Sequence, residues 1–415
     1  MPALAALGGT SVFPEGHAWP TWPRVSPRHE ELVLDVLRGG WWFWGSANDE
    51  FAEKFAAFVG ARYAVPAANG TVTLELACKA LGLGPGDEVI VPALTWCASG
   101  QAPLSVNAIT VFADVLEDTW CLDPAAVEAA ITPRTRAILP VHLYGRMAEM
   151  DALLAIADRH GLAIVEDCAH QHGSQWRGKG AGSIGTVGSF SMQQSKVLTS
   201  GEGGAVTTND EALYRRIRSY THVWLIAEDN LEVNNLHQFG SNARLTEIQS
   251  ALLLAGLETL PDDLLVRERN ARHLDQALAS VPGIEPLRHQ PEVTRQSLYH
   301  WTANLRLADF GVSRDVVQRA LAAEGVPTIL PYEPVYKSRM FGYDPVRTSI
   351  SCGLPAGTLN YRAQSFPVAE KISYEIGLGL TQDVMLAPAE DIERAAEAFV
   401  KVLSAPDELR KIAES

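Results

Sequence analysis

Apolar and polar positions along this chain follow two periods. Short apolar runs bounded by turn residues predict strands at Tyr63 to Pro66, Glu88 to Pro92, Ile109 to Ala113, Arg136 to Val141, Leu162 to Val165, Val187 to Met192 and Ala205 to Thr208. Helical spacing predicts helices at Glu30 to Leu37, at Asp49 to Val59 through Phe51, Phe55 and Phe58, at Val72 to Leu81, after Thr95, at Asp123 to Ile131 and at Met150 to His160. Strands and helices in alternation predict an α/β fold with a mostly parallel sheet covered by helices on both faces.

Further along, a helix from Thr246 to Leu257 is expected to break at Pro261. A linker helix from Leu264 to Leu278 then leads into a smaller α+β part, where Trp301 to Leu307, Val312 to Glu324 and Ala389 to Leu403 read as strand, helix and helix. The expected division is an N-terminal arm at 1–28, a large α/β domain at 29–262 and a small domain at 263–415. The 415 residues exceed what one hydrophobic core usually serves. Trp41, Trp42, Phe43 and Trp44 fall in a loop and are read first as a plug between arm and body. The other reading is a wall of a substrate pocket or dimer interface.

Composition narrows the partners. A net charge of −15 disfavours nucleic acid and anionic membranes, since neither releases counterions to an acidic surface. The five cysteines are scattered without a C-x-x-C pair, which points to reduced thiols and a cytoplasmic protein. The apolar N-terminus lacks a basic region, and no run approaches the ~20 apolar residues of a membrane span, so neither signal peptide nor span is expected.

The chemistry concentrates between Ala163 and Thr208. Lys196 is the only lysine between Lys179 and Lys337, in a run (QQSKVLTSGEGG) too polar and Gly-rich for a core, so it is either an exposed charge or a nucleophile. The strand ending in Glu166 and Asp167 puts a carboxylate where open α/β sheets hold ligands, able to pair with a protonated ring nitrogen. Ser191 stands near the end of the next strand, with Lys196 just past it. A Schiff-base lysine, an acid for the pyridinium nitrogen and a hydroxyl for the phosphate are what pyridoxal 5'-phosphate requires. Asn69, Gly70 and Thr71 precede a helix, where free N–H groups suit a phosphate, though such a turn is also ordinary capping chemistry.

The order Glu-Asp, His-Gly, Phe-Ser, Lys and Gly-Glu-Gly-Gly resembles the DegT/StrS family of pyridoxal-phosphate-dependent sugar aminotransferases. The run FSMQQSKVLTSGEGG is most similar to the branch that aminates inososes in aminoglycoside and aminocyclitol biosynthesis. The resemblance implies a fold-type I sheet of seven strands and Lys196 as the catalytic residue, with pyridoxamine phosphate as the intermediate cofactor form. It further implies Asp167 at the ring nitrogen, Gly70, Thr71 and Ser191 at the phosphate, Trp96 over the ring and His170 near the 3'-hydroxyl. In SNARLTEIQSA, Asn242 would reach the phosphate of the partner subunit across a homodimer with shared active sites. The implied reaction moves an amino group from L-glutamine or L-glutamate to a keto-cyclitol or keto-sugar. The alternatives are an aminohydroxybenzoate-synthase-like dehydration and a nucleotide-keto-sugar amination. Residues in 41–44, 142–144 and 332–336 are expected to face the acceptor.

Three other patterns take plainer readings. Glu166 should face away from Asp167 and serve as a structural carboxylate. Asp167, Cys168, His170 and His172 offer metal-ligand atoms, but strand alternation would not gather all four, and no metal is expected. Gly180 to Gly185 (GAGSIG) matches G-x-G-x-x-G, yet it opens onto a strand rather than a helix and is read as a loop.

Overall fold

The computed structural model describes residues 3–223, 239–342 and 359–414. Helices α1 (Pro27–Gly39) and α2 (Ser46–Val59) lead into β1 (Tyr63–Ala67), α3 (Gly70–Ala80), β2 (Glu88–Pro92), α4 (Cys97–Ser105), β3 (Ile109–Ala113) and α5 (Pro124–Ala130). There follow β4 (Thr135–Ile138), α6 (Met150–His160), β5 (Ala163–Asp167), the short β6 (Gln175–Trp176) and β7 (Lys179–Gly180), then β8 (Val187–Ser191), β9 (Gly204–Thr208) and α7 (Glu211–Thr221). The seven-stranded sheet runs β1-β9-β8-β5-β4-β2-β3. Its β3, β2, β4, β5 and β8 are parallel neighbours, while β9 is antiparallel to both β8 and β1.

That single reversal places the chemistry. A parallel neighbour needs a crossover, but β9 is reached from β8 through the loop 192–203 and so returns antiparallel. Because β1 reverses again, β1, β2, β5 and β8 all point the same way. The start of α3, the Thr95 turn, Asp167 and the Lys196 loop therefore share the carboxyl edge of the sheet.

Helix α8 (Glu247–Leu278) corrects the expected break: it is one helix of 32 residues with Pro261 inside it. Proline removes the N–H that would bond Leu257 and ordinarily kinks or breaks a helix. Here Leu253, Leu254, Leu257, Leu260 and Leu264 stay buried on both sides of it at helical spacing, and that packing outweighs one lost bond. The helix begins at a capping box in which Thr246 and Gln249 satisfy each other's backbone N–H groups. Its second half, through Ala271, Leu274 and Leu278, enters a second core. The expected boundary at 262–263 lies within this helix.

The second core lies under a four-stranded antiparallel sheet, β10-β12-β14-β13, formed by β10 (Ile284–Pro286), β12 (His300–Leu305), β13 (Thr328–Ile329) and β14 (Gly377–Thr381). Between them, β11 (Val293–Arg295) pairs with β6 in a separate small sheet. Helices α9 (Arg314–Ala323), α10 (Pro367–Lys371), α11 (Ala389–Leu403) and α12 (Pro406–Glu414) complete the described chain. The arm packs on this core through Leu4 and Phe13, and Lys401 holds the Thr10 carbonyl at 2.7 Å. Among the described residues no helix is long and apolar enough to cross a membrane.

The aromatic cluster after α1 is not a plug. Trp41, Trp42 and Phe43 are 63%, 54% and 47% exposed, because the loop turns them outward: the Trp42 carbonyl accepts the first N–H of α8, the Trp41 indole donates within the loop to the Trp44 carbonyl, and the Arg244 guanidinium lies over the Phe43 ring.

Candidate active site

One cavity of about 750 Å³ opens at the carboxyl edge of the large sheet, a volume usual for small-molecule sites. Gly70, Thr71, Trp96, Asp167, His170, Ser191 and Lys196 all line it. Asn242 does not: it is exposed and lies beside His222 in an isolated bridge. Most of the polar segment expected at Glu228 to Asn242 lies outside the described residues.

Lys196 is buried, and its ammonium lies 4.2 Å from the centre of the Tyr299 ring. Burial lowers its pKa from 10.5 to about 8, with Asp167 opposing the shift. Its backbone is held from both sides of the chain. The amide donates to the Gln193 carbonyl at 2.8 Å, and the indole N–H of Trp22, in the arm, donates to the Lys196 carbonyl at 3.1 Å.

Asp167 ends β5 with its carboxylate buried. Ser99 donates to one oxygen at 2.7 Å, and the Ala169 amide donates to the other at 3.1 Å. Since the Ser99 proton is committed to Asp167, Thr95 donates to Ser99 at 2.9 Å. Burial raises the Asp167 pKa, and these hydrogen bonds together with Lys196 pull it back. Ser99 was not expected from the sequence, although its place in the first turn of α4, just past the Thr95 turn, was a usable signal.

The anion-binding corner is built from small residues. Asn69 caps α3 by accepting from the Val72 amide at 3.0 Å, leaving the helix start open toward Ser191. A Cβ on Gly70 would stand 2.5 Å from the Ser191 Cβ, so only glycine lets strand β8 and α3 approach this closely. Buried His172 donates from Nε2 to the Ser191 carbonyl at 2.9 Å and fixes that strand end.

The far wall is aromatic and hydroxylated. His170 accepts the Tyr144 amide at Nδ1 (3.1 Å), so its neutral ring carries the proton on Nε2, toward the Tyr332 hydroxyl at 3.5 Å. Burial holds the His170 pKa well below the usual range, and neighbouring Lys196, His300 and His172 add to the shift. Its ring stacks on Tyr299 at 4.0 Å. Trp96 is half exposed at the mouth, with its ring 5.4 Å from that of Tyr332. Of the stretches expected to face an acceptor, 332–336 contributes Tyr332. Residues 142–144 instead back the wall, with the Tyr144 hydroxyl accepting the Tyr332 amide at 3.0 Å, and 41–44 does not line this cavity.

Glu166, fully buried, faces away from the cavity. Its two oxygens accept from the amides of Gly182, Ile184 and Gly185 at 3.0, 2.9 and 2.7 Å, and from His142 Nε2 at 3.1 Å. The G-x-G-x-x-G run is thus a loop whose amides bind the protein's own carboxylate. Among the described residues, His142, Glu166 and Cys168 bring ligand-type atoms within 4.8 Å of one another. No lone pair remains for a metal on this His142, because Nδ1 accepts the Ala148 amide at 3.0 Å and Nε2 donates to Glu166. Glu166→Gln is expected to lower stability by about 3 kcal/mol, since one oxygen acceptor of a buried network becomes a donor facing N–H groups. Denaturant unfolding measures it, and an unchanged midpoint would contradict the anchoring role.

The residues fit pyridoxal phosphate on their own chemistry. An open helix start and a hydroxyl meet in a cradle that a single Cβ would fill, and a buried carboxylate and a buried amine face the same space.

The sequence matches the DegT/DnrJ/EryC1/StrS aminotransferase family over residues 23–377. It is 40% identical to an L-glutamine:2-deoxy-scyllo-inosose aminotransferase from Micromonospora echinospora, over 99% of this chain and 100% of that protein. The fold superposes on a crystal structure of 3-amino-5-hydroxybenzoic acid synthase with a TM-score of 0.81 at 32% identity, over 93% of this chain and 99% of that one. It superposes on DesI, solved in the presence of its TDP-sugar product, with a TM-score of 0.83 at 30% identity, over 99% of both chains.

Proposed function

The chain belongs to the DegT/DnrJ/EryC1/StrS aminotransferase family, whose members depend on pyridoxal phosphate, and on that premise we propose that it aminates a keto-cyclitol of the inosose type. L-Glutamine or L-glutamate is the amino donor, and the product belongs to aminoglycoside or aminocyclitol biosynthesis in the cytoplasm. The observation that carries the reading is one cavity in which the Lys196 amine and the Asp167 carboxylate meet the α3 start and Ser191.

Pyridoxal phosphate, when bound, supplies an electron sink that lets a C–H bond beside the substrate nitrogen ionise. Lys196 takes up that proton at Nζ and returns it, a task suited to an amine with a pKa near the working pH. Asp167 would keep the ring nitrogen protonated, with Ser99 and the Ala169 amide holding the carboxylate oxygens. When the cofactor is bound, His170 would offer its Nε2–H to the 3'-oxygen, Trp96 would cover the ring and exclude water, and Gly70, Thr71 and Ser191 would hold the phosphate. In a homodimer, Asn242 of the partner subunit reaches the same phosphate.

Charge favours a cyclitol over a nucleotide sugar. Lys196 is the only lysine among the described residues lining the cavity, and no arginine accompanies it. A nucleoside diphosphate brings a pyrophosphate that proteins ordinarily meet with fixed cations. Trp96 and Tyr332 suit a neutral polyol ring, with flat apolar faces for its C–H groups and the Tyr332 hydroxyl for its own.

The test loads the protein with pyridoxamine phosphate and offers inososes, other keto-cyclitols and nucleotide-linked keto-sugars. An aminated inosose is expected, and no aminated product from any ketone would end the reading. The likeness to 3-amino-5-hydroxybenzoic acid synthase favours a second reading, dehydration with aromatisation. Glutamine consumed in step with product decides for amination; an aromatic product without it decides for the second. The cradle has its own test. Gly70→Ala should weaken pyridoxal phosphate binding roughly 10- to 100-fold, because overpacking costs about 1–3 kcal/mol and Ser191 must move. Fluorescence titration of cofactor-free protein reads the affinity, and a value within about twofold of wild type would refute the role.

A further inference from the structure

Tyr299 has no place in the sequence reading, yet three contacts meet on it. Its ring receives the Lys196 ammonium at 4.2 Å, stacks on His170 at 4.0 Å and lies 3.8 Å from the His300 ring. Its amide donates to the Tyr144 carbonyl at 3.2 Å, and the side chain is 4% exposed. The hydroxyl lies 2.7 Å from Ser195 Oγ, the residue before Lys196. Ser195 gives its own proton to Gln193 Oε1 at 2.7 Å, so Tyr299 must be the donor in its bond to Ser195. The donors thus run one way, from Tyr299 through Ser195 to Gln193, around the loop that carries the lysine.

We propose that Tyr299 is a positioning residue that seats the free Lys196 amine on its ring face, held in place by the hydrogen bond to Ser195. The second sheet, at the residue just before β12, thereby sets where the nucleophile of the first sheet waits. The inference rests on the reading of Lys196 as the reacting amine. A cation over a desolvated ring is stabilised, so the ring acts against the burial that drives the amine toward neutrality. The other groups facing the ammonium are Asp167 on β5, His170 and His172 beyond it, His300 on β12, and Tyr332 and Glu202 along the cavity. The three histidines are buried with their pKa values lowered, which leaves Asp167 and the ring as the main supports of the charge.

The test uses full-length protein stripped of cofactor, labelled with an amine-reactive reagent across a pH series and read at Lys196 by mass spectrometry. Tyr299→Leu, which keeps an apolar side chain but no ring, should move the Lys196 midpoint down by about one pH unit. Tyr299→Phe keeps the ring and should leave it within about 0.3 units. In the loaded enzyme, Tyr299→Phe and Ser195→Ala should each lower kcat about threefold with KM unchanged. The double variant should be no worse than either single one, because both remove the same bond. An unmoved midpoint in folded Tyr299→Leu, or additive losses in the double variant, would overturn the proposal. Should Lys196→Met retain turnover, the reading of Lys196 fails instead, and the labelling result shows the two failures apart.

Discussion

Lys196→Met removes the amine while keeping the length of the side chain, and turnover is expected to fall by roughly 10⁴-fold or more. The size follows from the two roles proposed for the amine, the group that would join the cofactor and the group that would move the proton. Among the described residues lining the cavity there is no second lysine to take over. Burial adds a signature that separates this role from a merely structural one. With a pKa near 8 rather than 10.5, the neutral fraction at pH 7 is roughly 300 times that of a solvent-exposed lysine. Labelling of cofactor-free protein should therefore reach half-completion at Lys196 near pH 8, with exposed lysines following more than two units higher. The sign for stability is fixed as well. A lysine whose folded pKa lies below its unfolded value penalises the fold wherever both states would be charged, so the penalty is full below pH 8 and fades toward 10.5. Lys196→Met should accordingly melt at or above wild type at pH 7. More than a hundredth of wild-type turnover in the variant, or a labelling midpoint near 10.5, would contradict this account.

What the sequence disclosed depended on whether the deciding contacts were local. Strands Glu88–Pro92 and Ile109–Ala113 and helices Met150–His160 and Ala389–Leu403 have the ends their patterns predict, since each is a closed run of one period bounded by turn residues. Lys196, Asp167, Ser191 and Gly70 were legible for the same reason: each sits at an element end that the sheet topology carries to one edge. Tyr299 was not, because it reaches the cavity from beside β12, and no local pattern records that a second sheet lies over the lysine loop. Pro261 misled because a breaker acts locally, whereas the leucines that keep α8 continuous are satisfied by two separate cores. Trp41 to Phe43 misled in the opposite direction, since an apolar run implies burial only if something covers it, and among the described residues these rings are left about half exposed, with Arg244 over Phe43.

Asp167→Asn is the sharper test of the electrostatics, with an expected loss of roughly 10² to 10³ in kcat. The substitution changes little in shape. An asparagine oxygen can still accept from the Ser99 hydroxyl or the Ala169 amide, both of which now hold the carboxylate. What disappears is charge, and only a charged partner keeps a pyridine nitrogen protonated in a buried site. The site is close to balance in this respect, because burial already raises the Asp167 pKa and only Ser99, Ala169 and the cationic neighbours restrain it. Ser99→Ala should therefore act in the same direction but more weakly. It strips one donor from the carboxylate, raises the pKa further and lowers kcat by about tenfold, with the acidic limb of the pH profile displaced to higher pH. The two variants separate the roles that a buried carboxylate can have. If Asp167 merely supported the strand end, both would lower the melting temperature while leaving kcat in the folded fraction intact. If it holds the ring nitrogen, both fold normally, cofactor binding survives in weakened form, and turnover falls in the order of charge lost. Turnover of Asp167→Asn within about threefold of wild type would be incompatible with any role for this carboxylate in keeping the ring electron-poor.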